Sequence, residues 1–192
     1  MCKGHTGCGL KSQGSILPEK KGESPIPRMY NLQMTNPNPN AVILRDVIEA
    51  DLPIIYKQQL DPVATQMAAV PSRDWDAFMA HWKNRMMSNE DMIVKTILIE
   101  GQVAGYLLSW NVSGEQDVGY WLGKEYWGKG IATKALAEFL GYVKIRPLVA
   151  HVAKQNLGSL RVLLKCGFTV TGENKLTDEK GQEIEGIILK LE

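Results

Sequence analysis

At 192 residues, 44% of them apolar, the chain has the length of one domain and enough hydrophobic material for a sizeable core. Its 22 lysines and arginines nearly balance 21 aspartates and glutamates, and a net charge of +1 argues against a polyanion-binding surface and so against nucleic acid as a partner. Three cysteines argue for a reducing compartment, and no run approaches the ~18 apolar residues of a membrane span, so a cytoplasmic protein without a membrane partner is expected.

Residues 1–28 are rich in Gly, Ser, Pro and Lys, lack hydrophobic periodicity and read as a flexible tail. Cys2, His5 and Cys8 within it form no complete ligand set with paired spacing, so no metal is expected. Residues 29–40 read as a linker that ends in the turn-rich Asn36-Pro37-Asn38-Pro39-Asn40, and the folded domain as 41–192. A first strand is expected over 41–45. Asp51-Leu52-Pro53 opens a helix to about Gln59, since proline is tolerated in a first turn. Ser72 is the expected N-cap of a second helix, whose Trp75, Phe78, Met79, Trp82 and Met86 recur on one apolar face and read as core.

Residues 92–100 and 103–112 are apolar runs rich in Ile, Val and Tyr. The Gly101-Gln102 between them signals an antiparallel hairpin. Ser113-Gly114-Glu115 turns the chain again, and 116–122 completes a three-stranded meander. A helix to about Val143 places Ile131, Ala135, Leu136, Phe139 and Val143 on one side. Arg146-Pro147 breaks it, and 148–153 returns as a buried strand parallel to its neighbour. Asn156 caps a compact helix through Cys166, Gly167 stops it in a left-handed conformation, and strands follow from Phe168 and over 184–191, joined by a turn at 178–181. This order predicts an α/β protein with a six- to seven-stranded mixed sheet and about four helices.

Trp127-Gly128-Lys129-Gly130-Ile131-Ala132 lies between a strand and a helix. Two glycines let the backbone approach an anion, and the helix start aims unpaired N–H groups and its positive dipole end at the same spot, so a phosphate fits without a metal. A nucleoside triphosphate loop is excluded because no Gly-Lys-Ser/Thr ending is present. A dinucleotide fold is excluded because the loop follows an antiparallel meander, without a βαβ unit or an acidic residue about 20 positions on.

Gly119-Tyr120-Trp121-Leu122, Tyr126 through Thr133, and Asn156-x-x-Ser159 running on to Leu164-Lys165-Cys166-Gly167-Phe168 together resemble the GNAT superfamily of acetyl-coenzyme A dependent N-acetyltransferases. The resemblance covers roughly 41–191 and is greatest to the branch containing the ribosomal-protein N-terminal acetyltransferases. The family pattern Gln/Arg-x-x-Gly-x-Gly/Ala falls on Trp127, Gly130 and Ala132, with an aromatic first position as expected in that branch. It implies the GNAT fold, in which the strand ending at Trp121 and Leu122 parts from 148–153 and coenzyme A enters the wedge. Backbone groups of Trp121 and Leu122 would pair with the pantetheine amides. Trp127, Gly128, Lys129, Gly130, Ile131, Ala132 and Thr133 would hold the pyrophosphate, and Asn156 would contact the cofactor arm near the thioester. The implied reaction moves an acetyl group from acetyl-CoA to a primary amine, on a protein N-terminus, an amino acid or a small amine, by direct attack in a ternary complex. A noncatalytic acyl-CoA sensor of the same fold is the alternative, and monomer and homodimer both stay open.

An ammonium has no lone pair, so a base must first remove its proton. Asp117 lies four residues before Trp121, where members of the superfamily place a glutamate. It alternates onto the face of Gly119 and Trp121, one methylene shorter and so reaching through a bridging water. The tyrosine that reprotonates the thiolate in many members is Leu163 here, which leaves Ser159, Tyr120 or solvent for that step. His151 is a second candidate base or a structural histidine. Cys166 has no His partner at readable spacing and reads as a core thiol. The acceptor wall is expected from residues 59–67 and the helix carrying His81 and Trp82. Its aromatics and methionines suit an amine with an apolar portion better than a polycation.

Overall fold

A computed structural model describes residues 41–178 and 181–192, so the readings for the tail and linker, including Cys2, His5 and Cys8, lie outside the described residues. In chain order the elements are β1 (Val42–Asp46), α1 (Leu52–Gln59), α2 (Pro62–Ala68), α3 (Trp75–His81), β2 (Ile93–Ile99), β3 (Gln102–Val112), β4 (Glu115–Leu122), α4 (Ile131–Phe139), β5 (Leu148–Ala153), α5 (Leu157–Lys165), β6 (Thr169–Thr177) and β7 (Glu183–Leu191). The seven strands form one sheet in the order β1-β2-β3-β4-β5-β7-β6. All neighbours pair antiparallel except β4 and β5. A mixed α/β sheet is therefore present, with five α-helices where about four were expected. No described helix is long and apolar enough to cross a membrane.

The additional helix is α2. Asp61 accepts from the Val63 and Ala64 N–H groups at 2.9 and 3.0 Å, and Pro62 occupies the first turn, so capping compensates for a helix of only seven residues. The expected Ser72 cap is displaced to Asp74, whose carboxylate accepts from Ala77 N at 2.8 Å. Beyond His81 the helix widens into a π turn over Trp82–Met86. That turn keeps Phe78, Trp82 and Met86 buried. Both hairpins use two-residue turns with left-handed backbone at each position, Glu100-Gly101 and Ser113-Gly114, which matches the right-handed twist of the flanking strands.

Each face of the sheet is covered. Leu107, Val118 and Leu122 pack with Ile131, Leu136 and Phe139 of α4 and Leu163 of α5. Val103, Tyr106 and Trp121 pack on the opposite face with Ile55, Phe78 and Trp82. Complete burial of each such Leu, Ile or Phe contributes about 1.5–3 kcal/mol. Beside this second layer, the Asp51 carboxylate takes a fork from Arg45 at 2.6 Å on both oxygens and further bonds from Thr96 Oγ1 and Ile48 N, tying β1, β2 and the entry to α1 together.

β4 and β5 pair only at Gln116–Leu148 and Asp117–Val149 and then part. Beyond that rung, residues 118–122 turn an unpaired backbone edge toward a gap. Ser109 Oγ donates to the Asp117 carbonyl at 2.7 Å and accepts from Gln116 Nε2 at 2.8 Å, a buried bond pair that fastens β3 to β4 at the apex of the wedge.

Candidate active site

Past β4 the chain makes a short turn, with Tyr126 N bonded to Gly123 O and Trp127 N to Lys124 O. Gly128 and Gly130 then both adopt φ of +73°, where a side chain would strain the backbone. Gly130 is the N-cap of α4 and offers no side chain to cap it. The N–H groups of Gly128 through Thr133 consequently have no hydrogen-bond partner among the described residues, the first bond of the helix being Lys134 N to Gly130 O. Six consecutive donors at a helix start make a concave anion site.

Trp127 has a structural task that the motif does not announce. Its indole N–H donates to the Leu122 carbonyl at 2.8 Å and pins the loop to the end of β4. That bond takes one of the two lone pairs of the Leu122 carbonyl and leaves the other for a further donor. Lys129 is exposed and rests 5.9 Å from the Tyr126 ring centroid.

Beside the open edge of β4 lies a cleft of about 440 Å³, bounded by the end of β4, the glycine loop, the first turns of α4 and α5, and α2. Of the residues expected to bind coenzyme A, all but Lys129 line it, as do Tyr120 and Ser159, whereas Asp117 and His151 do not. Asn156 accepts from Ser159 N at 3.0 Å through Oδ1, so it is an N-cap whose amide nitrogen remains for another partner. Gln155 Nε2 reaches across to the Gln66 carbonyl at 3.2 Å and joins this turn to α2.

Tyr120 and Ser159 meet in the cleft, the phenol donating to Ser159 Oγ at 3.0 Å. Burial, opposed by that bond, pushes the Tyr120 pKa up to about 12, so the phenol stays protonated and acts as a donor. Ser159 keeps its own proton to give. Leu163 is 3% exposed and belongs to the core under α4, so it presents nothing to the cleft. Cys166 has its pKa raised by burial and lies 3.5 Å from the Thr133 carbonyl, as an unreactive thiol does.

Asp117 sits on the last paired rung, on the face of β4 opposite Tyr120, and is 7% exposed. Burial raises its pKa; the charge of His151 opposes this and that of Glu115 adds to it. His151 Nε2 is 3.9 Å from Asp117 Oδ2, and His151 Nδ1 is 3.0 Å from the Asn174 amide nitrogen. With that amide donating, the ring proton lies on Nε2, toward the carboxylate. Asn174 escaped the sequence reading because only the β5-β7-β6 pairing brings it beside His151.

A family model described as an acetyltransferase (GNAT) domain matches residues 41–169. Probable N-acetyltransferase YjcK of Bacillus subtilis (strain 168) is 42% identical over 59 residues, 29% of this chain and 33% of that relative, so the match spans about a third of the relative's length. RimJ of Mycobacterium smegmatis, solved in complex with CoA-disulfide, superposes with a TM-score of 0.66 at 25% identity over 80% of this chain and 83% of its own. Ribosomal-protein-S5-alanine acetyltransferase from Vibrio fischeri gives 0.65 at 22% identity over 78% and 92%, a likeness of fold.

Proposed function

We propose, on the premise that this chain belongs to the GNAT acetyltransferase family, that residues 41–192 move the acetyl group of acetyl-coenzyme A to a primary amine by direct attack while both are bound. The observation that carries this reading is the parting of β4 and β5 immediately beside an uncapped helix N-terminus. An extended amide-bearing arm can complete the open edge of β4, and a diphosphate can satisfy the orphaned loop donors. In this reading Leu122 supplies backbone pairing to the pantetheine beside Trp121, whose own carbonyl is turned to β3, the N–H groups of Gly128 through Thr133 hold the pyrophosphate, and the Asn156 amide nitrogen bonds the arm near the thioester.

The acceptor amine approaches the apex. Asp117, made more basic by burial, removes the ammonium proton through one water, and His151 steadies the carboxylate in its charged form. The amine lone pair attacks the thioester carbonyl, the carbon–sulfur bond breaks, the thiolate leaves, and the nitrogen gives its second proton to solvent as the neutral amide forms. Ser159 returns a proton to sulfur, with Tyr120 donating to the Ser159 oxygen as it does so. A thiol of pKa about 8.5 needs only modest help to leave, so the absence of a tyrosine at Leu163 does not block the step. The acceptor is a peptide N-terminus, an amino acid or a small amine. Thiol release by the full chain from acetyl-CoA across a panel of such amines tests the reading; neither thiol release nor coenzyme A binding with any member would overturn it.

A further inference from the structure

The face of the sheet under α1 to α3 holds three donors that nothing uses. Tyr106 stands opposite Trp121 in the β3–β4 ladder, so both rings rise on one face as neighbours. They are 9% and 6% exposed. The Trp121 indole N–H has no partner among the described residues. The Tyr106 hydroxyl accepts from Gln59 Nε2 at 2.7 Å, and its own proton goes to no described acceptor. Arg73, half-buried just ahead of α3, makes no salt bridge or hydrogen bond there either. Trp75 beside it packs edge-on to Tyr56 of α1 at 5.0 Å, which holds this segment against the helix that carries Gln59. The Arg73 charge is felt at Tyr106, whose phenol burial keeps protonated, and at His81. The sequence pattern predicts a wall of little charge at this place; the fold gathers Arg73 and Arg85 around His81 instead.

Donors without acceptors call for an anion. A guanidinium whose charge reaches a phenol that neighbours an indole N–H suits a carboxylate, the group for which charge-assisted bonds are strongest. A polyamine would need the reverse, and each of four acids on the far side of the wedge already has a lysine beside it: Glu115 has Lys190, Glu183 has Lys175, and Glu173 and Glu185 share Lys154. We infer that Arg73, Tyr106 and Trp121 form a subsite for the carboxylate of the acceptor, which is an amine bearing that carboxylate several bonds away. This rests on the transferase reading above. Trp121 is four residues along β4 from Asp117, about 13 Å at strand rise, with the reacting carbon between them. An α-amino acid is too short to bridge that interval, whereas an extended tripeptide of about 10 Å with a free C-terminus fits it.

The test uses matched acids and amides on the full chain. Thiol release from acetyl-CoA is measured with triglycine and with triglycinamide, and calorimetry with coenzyme A present measures binding of N-acetyltriglycine and its amide, which cannot react. The acid is expected to be preferred by about ten- to a hundredfold in both arms, the range given by charge-assisted bonds to a carboxylate. Arg73→Met should bring that ratio near one, and Arg73→Lys, which keeps the charge but not the fork, should leave an intermediate ratio with the fold intact. Equal use of acid and amide by the natural protein, or equal weakening of both by Arg73→Met, overturns the subsite. Preferential, Arg73-dependent binding of the acid without thiol release from either amine sustains the subsite and removes the transferase reading.

Discussion

Gly105 is where the wedge is most vulnerable to a single methyl group. It pairs with Leu122 on one side and Ile97 on the other, next to the irregularity in the β2–β3 ladder. A Cβ there would run into the Trp121 carbonyl oxygen, with Leu122 Cα at 2.9 Å and Trp121 C at 3.0 Å. All three are backbone atoms, so no rotamer change relieves the overlap. β3 and β4 would have to separate by roughly 1 Å in an interior that is close-packed. Overpacking of this kind costs about 1–3 kcal/mol. The same separation weakens the Gly123 N to Ala104 O bond of 2.9 Å and its neighbouring rung, each worth about 0.5–1.5 kcal/mol.

Gly105→Ala is therefore expected to destabilise the protein by about 3 kcal/mol, a fall in Tm of about 6–12 °C for a domain of this size. Gly119→Ala, one strand away, is the matched control. There a Cβ meets only the Leu108 and Trp110 side chains, at 3.5 Å. The change should stay within about 1 kcal/mol and can be stabilising, since the unfolded chain loses freedom. Urea denaturation followed by circular dichroism reads both. Because Trp121 and Leu122 line the cleft, Gly105→Ala should also raise the KM for acetyl-CoA at temperatures where it remains folded. Equal stability of the two variants, or a loss under about 1 kcal/mol at Gly105, would refute the close approach of β3 and β4.

Asp117→Asn should lower kcat by about 10²–10³ while sparing the KM for acetyl-CoA. Because burial raises the Asp117 pKa, the natural enzyme should lose rate on acidification earlier than an ordinary carboxylate base would, and the Asn variant should lack that limb in a kcat–pH profile. Ser159→Ala and Tyr120→Phe should each reduce kcat, the pair together by less than the product of the singles, since one hydroxyl acts through the other; independent effects in the double variant would contradict the relay. The Asp51 carboxyl is pushed up by burial but held lower overall by bonds from Arg45, Thr96 and Ile48 N. Its stabilisation is thus present above the unfolded carboxylate pKa of about 3.9 and lost as pH falls through the lower folded value. Asp51→Asn should cost about 3 kcal/mol at pH 7 and show a shallower loss below about pH 4; parallel acid profiles in denaturant titrations would argue against the fork.

The strands were legible because each is a local pattern closed by a local signal. The β5 bounds agree with the sequence reading, and the meander follows from Gly101 and Gly114 at left-handed positions. The glycine loop was legible for the same reason, since six adjacent residues carry all its chemistry. Helix α2 was not, because seven residues hold too little periodicity to register; Asp61-Pro62, a good cap followed by a first-turn proline, was the available signal. The shift from Ser72 to Asp74 has a similar cause. Two capping residues lie two positions apart, and the choice between them depends on where Trp75 and Phe78 find their aromatic neighbours Tyr56 and Trp82.

Side-chain partnerships across the sheet follow another logic. Gln59 meets Tyr106 across 47 positions, and Tyr120 meets Ser159 across 39, so neither pairing leaves a trace in spacing. Trp127 shows how a residue read correctly as part of the loop can still act in an unforeseen way. Its type was explicable as a family variant, but its indole bond fastens the loop to the Leu122 carbonyl at the edge of β4. Since the Trp121 carbonyl is turned to Gly105 of β3, a bound arm meets the end of the open edge at Leu122, beside the indole that anchors the loop. Trp121 then stands between two layers, lining the cleft with its main chain tied to β3 and turning its unpartnered indole to the layer under α1 to α3. Any displacement of this residue, as Gly105→Ala would impose, should therefore disturb both sides of the transfer together.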